Sequence, residues 1–583
     1  MKVWQIAPRV EKDKRPAGVS VSPILFQLLY NRGLNNPQLI SDFFNPAGYH
    51  DPFLFKNMAA AVDLIISHIK SGHLITVYGD YDADGVTSAV VLLEALQTLH
   101  ARAEVYLPDR VSEGYGLNKP AIKSLAEQRV KLIITVDNGI RNREEVIYAQ
   151  SLGLEVIITD HHVLPETAAD LPPCPYIDPA DANDHYPWRY LAGVGVSFKL
   201  VSALLEKARL PEEQKRLIRE RSLDLVAVGT VSDMVSLLGE NRLLVKDGLK
   251  ILNQGRRPGL VELSRIAKIN SDRPLEAWNI GWQIGPRLNA ASRLAHANTA
   301  FALLRSAAQA EAEELATELN NRNLSRQQIT AEITAQVEEQ IDPKNIPPVI
   351  IGVTPPGQVW NEGVVGLVAG RIAEKYYRPT LVISRLSEGG EGREESFKGS
   401  GRSIEEFNLI QAVEKAAHYL DKYGGHPMAC GFSLVNEENL RMFKALILEE
   451  AASLLGRIDL NPKLKIDMIL DFSQINLENA GQILELAPFG QDNPQPKFAS
   501  FGFKINDIVT MGSDNQHIKF RLSLPTGDHR GHWALLFGGA ADYRHFQVGD
   551  IVDLAYYLEI NEFNGRREPQ LKIIDMKISD KKL

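Results

Sequence analysis

The chain has 583 residues, of which 44% are hydrophobic and 23% charged. That is an ordinary globular composition, and the length suggests about three domains. No apolar run is long enough to span a bilayer, the N-terminus lacks a signal peptide's apolar core, and Cys174 and Cys430 make neither a disulfide framework nor a zinc site. A cytoplasmic protein is expected. The net charge of -9 argues against loose coating of nucleic acid but leaves a confined basic channel open, because phosphate is held by local patches.

Residues 1–50 carry turn signals around Asn36 and Pro46 and read as a lead-in of uncertain structure. From about residue 73 the pattern becomes regular. Strands are predicted at 74–78, 103–107, 132–136 and 156–159, with helices at 86–100, 119–128 and 144–151 between them. Apolar, β-rich runs alternating with helices indicate an α/β fold with a parallel sheet covered on both faces. Residues 299–340 read as one long helical stretch, a rigid connector or alternatively a coiled-coil partner site. A second α/β unit follows, with strands at 349–353 and 380–383 and a helix at 364–377. The tail turns to short β-like runs at 518–522, 551–557 and 571–574, the spacing of a small barrel such as an OB-fold.

The residues able to do chemistry fall where predicted strands stop. Asp80, Asp82 and Asp84 follow the first strand, Asp109 the second, Asp137 the third, and Asp160, His161 and His162 the fourth. In a parallel sheet the carboxyl ends of the strands share one edge, where open α/β folds place ligands. Asp233, in the apolar segment 223–235, is a further candidate. Carboxylates so gathered raise one another's pKa unless cations occupy the site. Mixed carboxylate and imidazole donors suit Mn2+, and Mg2+ where carboxylate oxygens dominate. Each residue alone has an ordinary alternative: Asp84-Gly85 and Asp137-Asn138-Gly139 as turns, the histidines as surface or core residues, Asp233 as a helix cap or salt-bridge partner. Repetition at successive strand ends favours the site.

The segments Asp80-Tyr81-Asp82-Ala83-Asp84-Gly85, Thr135-Val136-Asp137-Asn138-Gly139, Thr159-Asp160-His161-His162 and Val231-Ser232-Asp233-Met234-Val235 resemble successive motifs of the DHH phosphoesterase superfamily. Gly285-Pro286-Arg287-Leu288-Asn289-Ala290 resembles a motif of its exonucleases, and Gly424-Gly425-His426-Pro427-Met428-Ala429-Cys430-Gly431 the glycine-histidine motif of the associated second domain. The resemblance covers roughly residues 50–583. It implies two α/β domains, a parallel-sheet DHH domain (51–298) and a DHH-associated substrate-binding domain (343–456), joined by a long helix (299–342). The lead-in (1–50) precedes them, and an OB-fold-like nucleic-acid-binding barrel (457–583) follows.

Two divalent ions, Mg2+ or Mn2+, are implied, with Asp82 and Asp84 each binding one and Asp137 bridging them. His161 and Asp233 complete the second site, His162 lies close to the scissile phosphate, and Asp80 ligates or orients ligands. Such a pair activates water for in-line displacement. Within the superfamily the pattern is nearest to exonucleases that degrade single-stranded DNA 5′→3′ to 5′-mononucleotides. Recombination and mismatch repair are the implied setting, with single-strand binding protein and a helicase as partners. The alternatives are a phosphodiesterase or pyrophosphatase acting on small nucleotides, and a catalytically dead DNA-binding scaffold. The long tail and the complete set of acidic residues favour the exonuclease.

Ser400, Gly401 and Arg402 offer an anion cradle, to which the resemblance assigns the 5′-phosphate together with Arg110; a surface loop across 388–403 is the alternative. His426 is a substrate contact or a turn histidine, and Tyr115 a base-stacking ring or loop packing. Arg287, Arg293 and Asn289 are candidates for backbone phosphates, against structural arginines bridging domains. In the tail Lys519, Arg521, Trp533, Tyr556 and Phe563 suit single-strand binding, although aromatic residues in a small barrel are more often core.

Overall fold

The computed structural model describes residues 2–46, 48–270, 272–386, 395–512, 514–525, 531–563 and 565–579. They form two compact units. One comprises Asp51–Asp233 and Asp247–Asn461; the other comprises Met1–His50, Met234–Lys246 and Pro462–Leu583.

The first unit opens on a doubly wound sheet. Its strands are β1 (Leu74–Gly79), β2 (Arg102–Tyr106), β3 (Val130–Val136), β4 (Glu155–Thr159) and β5 (Tyr176–Ile177), all parallel in the order β2-β1-β3-β4-β5. β1, β3 and β4 are Val/Ile-rich and almost wholly buried, as expected for strands covered on both faces. The crossovers are α1 (Ala83–Thr98), α2 (Lys119–Glu127) and α3 (Arg143–Ser151). α2 begins cleanly because the Asn118 side chain accepts from Ala121 N and a proline sits in the first turn. The chain leaves β1 toward β2 on one side and later returns to place β3 on the other. The topological switch point therefore lies between β1 and β3, where Asp80 to Asp84 and Asp137 emerge.

Behind α1 pack α4 (Gly193–Lys207) and α5 (Glu212–Ser232). A continuous helical stretch, Ala277–Asn279, a π-helical turn Ile280–Ile284 and α6 (Gly285–Leu294), follows. The stretch expected as one helix over 299–340 is two: Asn298–Arg305, then the 30-residue α7 (Gln309–Glu338). The break at Ser306 has a local cause. The Ser306 hydroxyl donates to the Leu303 carbonyl and the Arg257 guanidinium to the Leu304 carbonyl, so side chains satisfy acceptors that a continuing helix would use.

The second sheet of this unit is mixed, built from β6 (Ile350–Val353), β7 (Thr380–Arg385), β8 (Phe397–Arg402), β9 (Lys422–His426) and β10 (Ala429–Leu434) in the order β9-β10-β8-β7-β6. Only β6 and β7 pair in parallel, around the crossover helix α8 (Glu362–Tyr376). Residues 387–394, within the expected glycine-rich loop, lie outside the described residues.

In the other unit, strands Phe498–Met511, His517–Ser523, His532–Leu536, Ile551–Phe563 and Arg566–Ile578 close into a five-stranded barrel through the pairing of the first with the fourth. This is the β-barrel tail expected from the sequence. The N-terminal segment is ordered against it: Val3–Ile6 pairs in parallel with Lys463–Ile466, and Leu28 and Leu29 share a core with Phe498, Phe520 and Tyr556. Among the described residues no helix is long and apolar enough to cross a membrane.

Candidate metal centre and phosphate cradle

The loop after β1 is fixed by its own backbone. Asp82 caps α1, its Oδ1 accepting from Asp84 N at 2.9 Å and Gly85 N at 3.1 Å. Ala83 N donates to Asn289 Oδ1 on α6 at 2.7 Å. Gly85 has no alternative residue, since a Cβ there would sit 2.6 Å from the backbone of Asp80. Asp84 is buried in the first turn of α1, where Gly193 N (2.7 Å) and Val194 N (3.0 Å) at the start of α4 donate to its carboxylate. Asp137 follows β3 with φ at 64° and packs so closely on α4 that a Cβ on Gly193 would lie 2.6 Å from its own.

These loops, the turn after β4 and the C-terminal end of α5 bring seven side chains to one place: Asp80, Asp82, Asp84, Asp137, His161, His162 and Asp233. His161 Nε2 lies 3.0 Å from Asp137 Oδ1, 3.5 Å from Asp233 Oδ2 and 3.9 Å from Asp84 Oδ2. Three sets of potential ligand atoms each lie within 4.8 Å of one another: Asp84, His161 and Asp233; Asp80, Asp82 and Asp137; and Asp137, His161 and His162. The first two sets form adjoining pockets of donors, and the third connects them.

The electrostatics match a cation site. Burial, then the neighbouring carboxylates, pushes Asp80, Asp137 and Asp233 well above the usual carboxylate range, and Asp84 to about 7. Burial, and next the field of His162, holds His161 down to about 4, so its imidazole is neutral and available as a donor near pH 7. Asp80 Oδ1, Asp137 Oδ1 and His161 Nε2 are buried without a hydrogen-bond partner. Buried polar atoms are rarely left so. Oxygen and imidazole donors in these sets fit Mn2+ or Mg2+.

His162 is held differently. Its Nδ1 lies 2.7 Å from Asp160 Oδ1 and 2.9 Å from the Tyr115 hydroxyl, which also bonds the Asp137 carbonyl at 3.1 Å. Burial alone would lower the His162 pKa; the hydrogen bond to Asp160 and the field of Asp160, Asp80 and Asp82 outweigh it and leave it raised. Asp160 thus orients the His162 imidazole at the edge of the centre and favours its protonated form. Asp109 does not join the cluster. Its carboxylate is spent on the turn at Val111 and Ser112.

Beside the acids lies a group of arginines. Arg293 is pushed down to about 10 by burial and by the like charges of Arg110, Arg326 and Arg402, with Asp82 opposing. Among the described residues none of these four arginines forms an ion pair. The Arg293 side chain donates to the Gly363 carbonyl at the start of α8, and Arg402 and Ser400 line the same helix opposite Gly366. Arg110 covers the Tyr81 ring at 4.7 Å. Arg287 reaches Asn320 on α7 and the Gln283 carbonyl, a bridging contact rather than a free cation. Gly401 has no room for a side chain, a Cβ meeting Leu409, Leu381 and Cys430 within 2.8 Å. His426 and Arg402 fall in one cross-strand row through Ala429, so they share a face of the sheet about 10 Å apart.

In the barrel, Lys519 lies 4.5 Å from the Trp533 ring, and Arg521 is opposite Trp533. Tyr556 is fully buried with its hydroxyl on Ser500, which makes it core and corrects its candidacy for strand contact. The Phe563 side chain lies outside the described residues. Sequence reasoning missed three contributors: the Gly193 and Val194 N–H groups, the clamp of Asn289 on Ala83, and Arg326. Only the first had a signal, in the glycine-rich start of α4.

A doubly wound sheet with this carboxylate and histidine rim, followed by a mixed-sheet domain bearing arginines, defines a DHH phosphoesterase. Family models agree: the DHH family N-terminal domain matches residues 74–230, the DHHA1 domain 347–453 and the RecJ OB domain 466–575. The chain is 36% identical to the single-stranded-DNA-specific exonuclease RecJ of Bacillus subtilis, over 99% of this chain and 71% of that protein. It is 32% identical to RecJ of Escherichia coli over 98% of each. The crystal structure of Thermus thermophilus RecJ with Mn2+ superposes with a TM-score of 0.81 at 28% identity, covering 99% of this chain and 80% of that one. The chain belongs to the RecJ family of single-stranded-DNA-specific exonucleases.

Proposed function

We propose that this chain removes 5′-mononucleotides from single-stranded DNA in the 5′→3′ direction by metal-dependent hydrolysis. Asp84, His161 and Asp233 would hold one divalent ion, Asp80 and Asp82 the other, with Asp137 serving both. Bound there, divalent ions supply Lewis-acid polarisation of the phosphate, a more acidic water and charge stabilisation on the leaving oxygen. The protein's own contribution is placement. α4 fixes Asp84, Asn289 fixes the β1 loop, and Asp160 holds His162 toward the phosphate and favours its protonated form. Water attacks phosphorus, the bond to the 3′-oxygen of the terminal nucleotide breaks, and that oxygen takes up a proton. Ser400, Arg402, Arg293 and Arg110 would bind the 5′-phosphate and so set polarity. A cytoplasmic setting with single-strand binding protein and a helicase belongs to the same reading.

The observation that carries it is the pair of adjoining ligand sets with three buried donor atoms left unpartnered. The test is incubation of the protein with end-labelled single-stranded DNA and Mn2+ or Mg2+. Release of mononucleotides from the 5′ end is expected; cleavage of pyrophosphate or dinucleotides alone would reject the reading.

A further inference from the structure

Trp278 and Trp282 are 54% and 72% exposed, unusual for indoles one helical turn apart. Among the described residues neither ring stacks on another or donates a hydrogen bond. They lie in the stretch Ala277–Leu294, whose opposite face buries Ala277, Ile280, Ile284 and Leu288. The exposed indoles continue into the half-buried Pro286, Asn289 and Arg293, at spacings of four, four, three and four residues, which is one helical face. The π-helical turn keeps both indoles on that face; such turns are frequent at functional sites.

Two members of the face are already anchored in the site. Asn289 holds Ala83 in the metal loop, and Arg293 sits among Arg110 and Arg402. The face therefore has a direction. On the exonuclease reading, the 5′-phosphate would bind at the Arg293 end and the reacting phosphate would lie near Asn289, which holds the metal loop. Trp282 lies roughly 10 Å further on and Trp278 beyond it.

We infer that Trp282 and Trp278 form a base-stacking platform for the single strand on the 3′ side of the scissile bond. This rests on the exonuclease reading above. The occupant is single-stranded DNA because the platform continues a line that begins at phosphate-binding arginines. Stacking on indole is also indifferent to base identity, as a nuclease of mixed sequence requires. The platform would hold the strand in line after each nucleotide leaves.

The experiment uses the full-length protein in EDTA and fluorescein-labelled, 5′-phosphorylated oligothymidylates of about four to sixteen nucleotides. Trp282→Ala is expected to weaken binding of the longer oligonucleotides about tenfold, and Trp278→Ala several-fold. Trp282→Phe should stay within about threefold of wild type, since it keeps a ring to stack on. Abasic sites beyond the scissile bond should weaken the wild type but not the double Ala variant. Equal affinity of wild type and the double variant at every length would overturn the inference, even with single-strand degradation intact, and would point to a protein partner on this face. A wild type that neither binds nor degrades single strands would overturn the exonuclease reading along with it. Thermal melts establish that the variants are folded, and the Phe variant serves if an Ala variant is not.

Discussion

Asp137 Oδ1 lies 3.0 Å from His161 Nε2, and both atoms are buried without a hydrogen-bond partner. Burial keeps the imidazole neutral, and burial together with the neighbouring carboxylates raises the Asp137 pKa well above the usual carboxylate range. Divalent ions are expected to raise thermal stability, by roughly 2.7 kcal/mol at a hundred times Kd. Asp137→Ala should lose that increment and all hydrolysis, yet remain folded and bind single-stranded DNA. A melting series with Mn2+, paired with the nuclease assay, checks both; full activity in the variant would remove the metal assignment.

The same shifts fix a pH dependence. Asp84 is raised to about 7, so in metal-free protein its contribution to stability is present below the ordinary carboxylate value and is lost as pH rises toward 7. Asp80, Asp137 and Asp233 act in the same sense. His161, lowered to about 4, acts oppositely: its contribution is present above about 6.5 and is lost as pH falls toward 4. Four carboxylates outweigh one imidazole. Metal-free stability should therefore decline from about pH 4 to 7, and saturating Mn2+ should reduce or reverse the slope because ligand deprotonation favours binding. Denaturant melts at several pH values, with and without Mn2+, measure the two slopes.

Gly193 makes the packing behind the centre testable. A Cβ there would fall 2.6 Å from the Asp137 Cβ and 2.8 Å from its Cγ. Gly193→Ala should push Asp137 off its position and cost about 1–3 kcal/mol of stability. Metal affinity should fall as well, by about 10–100-fold, as when a support of a ligand is removed. Isothermal titration with Mn2+ separates the two effects; unchanged affinity would mean that Asp137 does not need this backing.

Much of this centre was legible because it is written locally. Each acid or histidine follows a Val/Ile-rich strand by one to five residues, and parallel topology brings those ends together. Asp233 was harder, since it caps a helix and arrives by tertiary packing. Asn289 and Arg326 show where local reading ends. Asn289 meets Ala83 across more than two hundred residues, and Arg326 sits in a polar helix where every charged residue looks solvated. The N-terminal segment was obscure for the same reason: its apolar face is completed by a barrel nearly five hundred residues away.

The last expectation concerns the end that the enzyme accepts. Arg402 and Arg293 are substantially buried, and burial lowers the pKa of both below the usual arginine value. Among the described residues neither has a carboxylate partner. Desolvated cations without counter-charges favour an anion such as a terminal phosphate. Arg402→Ala should weaken 5′-phosphorylated strands by about 10–100-fold, while strands lacking that phosphate lose little. Metal affinity should stay near wild type, because Arg402 belongs to none of the ligand sets. Comparing kcat/KM for the two substrates in both proteins decides it. An equal loss on both would mean that Arg402 supports the fold of β8 rather than reading the strand end.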